Sequence, residues 1–176
     1  PLLPGASLVS AAILAHGLAY DPTAYALTTS ERSLVVGVHA VLAWAAFGML
    51  AANALLGALE LVGPQRGLPG GGPWLPRSLH WGFVLHTAMI ASGSVYKFML
   101  FGRAWSFDPV ETLALVAWAA YGTLLHMHLF AGWEGRRLAA WSLALFVILV
   151  VSYRGIVYFP SWATYHIFDM DLRMHL

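Results

Sequence analysis

Polar residues are sparse along this chain, and the apolar runs between them are long. A helix that crosses a bilayer needs about 20 predominantly apolar residues. Five stretches approach or exceed that length: Leu2 to Tyr20, Leu34 to Val62, Leu79 to Leu100, Val110 to Trp133 and Leu138 to Phe159. The second cannot continue past Gly63, because Pro64 opens a Pro/Gly-rich stretch to Arg77 that is not expected to be helical. The pattern predicts an all-α, polytopic membrane protein. It is read as a single domain over residues 1–176, with about five transmembrane helices in a bundle. After the fifth run, Ser161 to Leu176 carries Trp162, Tyr165, His166 and Phe168, the mixture of an interfacial segment.

The short polar breaks set the orientation. Arg66 and Arg77 lie between the second and third runs, and Arg136 and Arg137 between the fourth and fifth. Both breaks read as cytoplasmic, since short cytoplasmic loops carry an excess of Lys and Arg. Alternation then puts Asp21 to Ser33, the break around Gly102 to Pro109 and the C-terminal tail together on the outside.

The outer break is unusual. Gly102 to Thr112 holds two large aromatics (Trp105, Phe107), a cation (Arg103) and two acids (Asp108, Glu111). Part of this is a helix start: Asp108 at the N-cap, Pro109 at the first helical position, and Glu111 closing a capping box. Capping accounts for neither Trp105, Phe107 nor Arg103. Those suit a ledge at the membrane edge that holds a flat, amphiphilic molecule, making this an external amphipathic loop.

Composition supports the membrane reading and removes several chemistries. Of 176 residues, 60% are hydrophobic and 10% charged, against about 25% charged in a soluble domain. No cysteine is present, which excludes disulfides, thiolate metal sites and a Cys nucleophile. A net charge of +1 supplies no basic patch for a nucleic-acid partner. Pro1 stands where an initiator Met is usual, which suits processing or a fragment. No basic segment precedes the first apolar run, so that run is not expected to be a signal peptide.

Eight histidines remain, several inside apolar runs, where titratable groups are costly and point to function. His39 lies five residues into its run from the outer end, about 8 Å deep at 1.5 Å per residue, and His166 lies in the outer tail. The outer loop therefore has a histidine on each flank. His86 and His126 are each seven residues, about 10 Å, from the inner ends of their runs. Two histidines at one depth can ligate one iron axially, so two such pairs imply one external haem and a second within the membrane. Each histidine also has a plain reading: a hydrogen bond to a neighbouring helix for His86 and His126, an interfacial residue for His39 and His166. His80, His128 and His175 read as interfacial, and His16 lies near the outer end of the first run.

Trp105-Ser-Phe-Asp-Pro-Val-Glu-Thr112, followed by Ala114-Leu115, Trp118 and His126, resembles the tryptophan-rich (WWD) signature of the haem-handling membrane proteins of cytochrome c assembly. That family reads Trp-Gly-x-x-Trp-Ser-Trp-Asp-Pro-x-Glu-Thr. Phe101 and Phe107 stand where it has Trp, while Gly102, Trp105, Ser106, Asp108, Pro109, Glu111 and Thr112 match. Ser92-Gly93 upstream and Gly132-Trp133, Gly135, Arg136 and Arg137 downstream also fit, so the resemblance covers roughly residues 34–166.

The resemblance implies a haem b held flat on the outer loop with His39 and His166 as axial ligands. It also implies a role for His126 at an internal haem in some branches; His86 joins it by depth alone. Trp105 and Phe107 would support the macrocycle, Asp108 would shape the loop, and Arg103, Lys97 and Arg154 are candidates for the propionates. The function implied is cytochrome c biogenesis in a bacterial cytoplasmic membrane or an equivalent energy-transducing membrane. Haem would be delivered or attached to apocytochrome c, with a haem chaperone or other membrane subunits as partners. If the chain acts in an enzyme, it is a component of a cytochrome c haem lyase or synthase. The alternative is a non-enzymatic b-haem electron-transfer subunit of a membrane respiratory complex. A transporter has no internal repeat or interrupted helix pair in its favour.

Overall fold

The long apolar runs form helices wherever the structure describes them. The computed structural model describes residues 34–63 and 70–157, apart from the side chains of Leu100 and of 152–157. It contains α1 (Leu34–Val62), α2 (Trp74–Phe101), α3 (Pro109–Ala131) and α4 (Gly135–Val157). The predicted segment Leu2 to Tyr20 lies outside the described residues, as do the tail from Ser161, His16, His166 and His175. The side chain of Arg154 is outside them too.

Seven of the eight helix boundaries fall within three residues of expectation, and one does not. α2 starts at Trp74 rather than Leu79, so Trp74 to Arg77 are helical although Pro73 precedes them and Pro76 lies among them. Pro73 is the N-cap and Pro76 lies in the first turn, where backbone N–H groups have no intrahelical acceptor and proline removes nothing. At the other end Gly102 adopts φ +68° and donates its N–H to the Phe98 carbonyl at 2.9 Å. A side chain in that left-handed conformation would be strained, so the glycine stops the helix and turns the chain outward.

The four helices run up and down. α1 packs on α2 and α4, and α3 packs on the same two. The core is narrow: Leu50, Leu75, Leu79, Tyr121, Leu124, Leu138, Ala139 and Leu149 form one buried cluster. Buried Asn53 of α1 donates Nδ2 to the Leu75 carbonyl at 2.8 Å and to Ser78 Oγ at 3.0 Å, a helix-to-helix bond of the kind that holds helices together in lipid. Large apolar residues face outward instead, with Leu34 82%, Phe130 77% and Trp44 71% exposed. In water such a surface would aggregate; in a bilayer it is solvated. α1 and α3 are each long and apolar enough to cross a membrane, and the elements formed by the described residues are all helices, as in a helical membrane protein.

The two Arg-bearing breaks meet at one end. Glu60 Oε2 accepts the Gly71 N–H at 2.8 Å, and Arg136 donates to the Leu61 carbonyl at 2.8 Å. Arg77 lies over Trp74 and Arg137 over Trp133, cation–aromatic pairs suited to the interfacial belt. The loop from Gly102 to Asp108 lies at the opposite end, between α2 and α3.

Candidate functional site

The loop is built on Glu111. Asp108 Oδ1 accepts the Val110 N–H at 2.8 Å, and Glu111 Oε2 accepts the Asp108 N–H at 3.3 Å, which completes the capping box. The same Oε2 accepts the Ser106 N–H at 3.0 Å. Lys97, 6% exposed, reaches across from α2 and pairs with Glu111 Oε1 and Ser106 Oγ. One carboxylate thus fixes the start of α3, the middle of the loop and the last turns of α2. Lys97 is held within this network, so it is a strut rather than the propionate cation that the sequence suggests. Asp108, 4% exposed, is a cap.

On that support the two aromatics differ in exposure. Trp105 is half-buried, while Phe107 is 82% exposed and Arg103 is exposed. Phe107 also takes φ +58°, a left-handed conformation that is rare for a bulky residue and tends to occur at functional sites. The loop spends backbone strain to turn a ring outward.

His39 lies in the half of the bundle nearer this loop. Its Nδ1 is 3.0 Å from the Met89 carbonyl oxygen and 3.2 Å from Ser92 Oγ, and its ring lies against Gly93. Gly93 is eight residues, about 12 Å, below the end of α2 at Phe101.

The inner pair is not brought together. His126 is exposed, with its ring 4.6 Å from Phe130. His86 is 3% exposed and lines an apolar cavity of about 310 Å³ with Trp44, Phe47, Leu50, Met89 and Leu149. Its Nε2 has no hydrogen-bond partner among the described residues. The equal-depth argument fails because α2 begins five residues early. His86 is then twelve residues, about 18 Å, from its inner end, while His126 is five residues, about 8 Å, from the end of α3. Among the described residues the histidines that do meet are His80 and His128, with ring centroids 5.9 Å apart. Each has its Nδ1 on a backbone carbonyl, Pro76 at 2.8 Å and Trp133 at 2.9 Å. His166 and the Arg154 side chain lie outside the described residues.

An outward aromatic ledge and a braced imidazole at one membrane edge fit haem, whose macrocycle needs an apolar face and whose iron needs a nitrogen ligand. The family model described as cytochrome C assembly protein matches residues 2–164.

The chain belongs to the cytochrome c assembly protein family.

Among curated relatives, it is 41% identical over 80 residues to the cytochrome c biogenesis protein CcsA of Prochlorococcus marinus strain MIT 9312, covering 46% of this chain and 26% of that one. It is 40% identical over 80 residues to the proteins of the same name from Prochlorococcus marinus strain NATL1A and Synechococcus sp. strain CC9605. Those alignments cover 46% of this chain and 25% and 26% of the relatives, so the chain spans about a quarter of the length of the curated relatives it matches. No solved structure matches it.

Proposed function

We propose that this chain handles haem in cytochrome c biogenesis, holding it at the outer face of a bacterial cytoplasmic membrane for transfer to apocytochrome c. The reading takes residues 1–176 as one domain, with a fifth helix formed by Leu2 to Tyr20, and His39 and His166 as the axial pair. The observation that carries it is the ledge itself: an exposed Phe107 held in a strained conformation beside Trp105, on a loop braced by Lys97 and Glu111. Family membership and relatives named for cytochrome c biogenesis support the same assignment.

Each residue then has a mechanical task. Trp105 and Phe107 offer the face against which the macrocycle lies, and Arg103 offers a cation for a propionate. His39 binds iron and sets how deep the cargo sits. Bound haem supplies vinyl groups to which cysteine thiols of apocytochrome c add. The nucleophile belongs to the substrate, and the chain's part is to position and to exclude water. The external haem is of the b type while it is held, and a haem chaperone or further membrane subunits would bring it or take it away.

Phe107 gives a clean test of the ledge. Its ring is 82% exposed, so Phe107→Ala should change stability by no more than about 0.5 kcal/mol. Covering that ring with haem is worth about 1.5–3 kcal/mol, so haem affinity should fall about tenfold to a hundredfold in a titration followed by absorbance. Unchanged affinity would mean that haem does not lie there. In the cell, a strain lacking this chain should lose mature c-type cytochromes. If it kept them and lost a respiratory electron-transfer activity, the assembly reading would give way to the electron-carrier one.

A further inference from the structure

Ser92 and Gly93 lie nine to ten residues before the loop and belong to no capping or core feature of α2, yet both touch His39. The Met89 carbonyl can only accept, so the proton of the 3.0 Å bond resides on His39 Nδ1. Ser92 donates its own hydroxyl hydrogen to that carbonyl at 2.9 Å. Its oxygen is therefore turned to accept from Nδ1 at 3.2 Å. The three groups close a triangle, and in the neutral ring the lone pair is on Nε2. On the ring's flank, a Cβ at position 93 would meet His39 Cε1 at 2.8 Å and Nδ1 at 3.2 Å. Only glycine lets the imidazole lie this close to the α2 backbone.

We infer that Met89, Ser92 and Gly93 form a seat that fixes the tautomer and plane of His39, so that Nε2 is the iron-binding nitrogen of the external haem. Ser92 and Gly93 are positioning residues: neither touches iron, and both act through the ring. The inference rests on the reading of His39 as a ligand. Its physical basis is general, because an imidazole that donates its second N–H to a fixed acceptor is a stronger and better-aimed ligand.

The two residues make different predictions. Gly93→Ala pushes the ring off its seat, and loss of an outer-shell partner typically costs about 10–100-fold in metal affinity, so haem affinity should fall by that much. The same change normally favours a helix, so weakened haem binding without a drop in thermal stability of the haem-free protein is the signature. Ser92→Ala removes one acceptor from Nδ1–H and leaves the other. The ring becomes less basic, oxidised iron is less favoured, and the reduction potential should rise while haem stays bound. Both variants are compared with His39→Ala in the whole protein, by haem titration and by redox titration of the haem absorbance. If His39→Ala keeps full affinity, the ligand reading falls and the seat with it. If His39→Ala loses haem while Gly93→Ala and Ser92→Ala match the parent in affinity and potential, the seat alone is wrong.

Discussion

Replacing Lys97 with Met should detach the outer loop and destabilise the protein by about 3–5 kcal/mol, the usual cost of leaving one partner of a buried ion pair uncompensated. Both side chains are largely buried, 7% exposed for Lys97 and 10% for Glu111. Methionine nearly matches the lysine stem, so packing changes little and the effect is electrostatic. Glu111 would be left with the N–H groups of Ser106 and Asp108 and the Ser106 hydroxyl as donors, and with no cation among the described residues. The double variant Lys97→Met/Glu111→Gln provides the control. It is neutral at both positions, and the glutamine oxygen can still accept those N–H groups. It should therefore recover most of the lost stability, measured by thermal unfolding in detergent followed by circular dichroism. A double variant as unstable as Lys97→Met would show that the lysine acts through something other than its charge. Haem binding should follow the loop, weak in the single variant and largely restored in the double.

The second large effect concerns the axial pair. His39→Ala should remove most haem from the purified protein, because an external haem with one imidazole left is held by the ledge and one iron bond. His166→Ala should do the same, and the double variant should be haem-free while still inserting in the membrane. The ring of His39 is only half-buried, so its truncation should cost little stability. His126→Ala, by contrast, alters an exposed ring beside Phe130 and should leave the outer haem unchanged.

The legible parts of this molecule were those governed by local rules. Asp108-Pro109-Val110-Glu111 specified a helix start through backbone geometry alone, and the capping box formed as read. The α2 start was hidden because Pro73 and Pro76 look like breakers; proline opposes a helix only where an N–H is needed, and the first turn needs none. That five-residue error became a depth error for His86, since depth in a helix is counted from its end. The Lys97–Glu111 pair spans fourteen residues and two elements, beyond any periodicity. A trace of it existed in the sequence, in a lone lysine near the outer end of an apolar helix with a carboxylate just across a short loop. The seat of His39 was half visible, because Ser92-Gly93 matched the family pattern, yet nothing in one chain says that Gly93 faces a ring from another helix.

Family membership and a braced aromatic loop lead to one physical claim: haem iron is held at the outer membrane edge between imidazoles of this chain. The direct test is the absorption spectrum of the protein purified from haem-replete cells, recorded oxidised and reduced, beside the His39→Ala/His166→Ala variant. The account predicts a low-spin, bis-histidine b-type haem spectrum for the parent and its loss in the double variant. A colourless parent, or a double variant with undiminished haem, would contradict it.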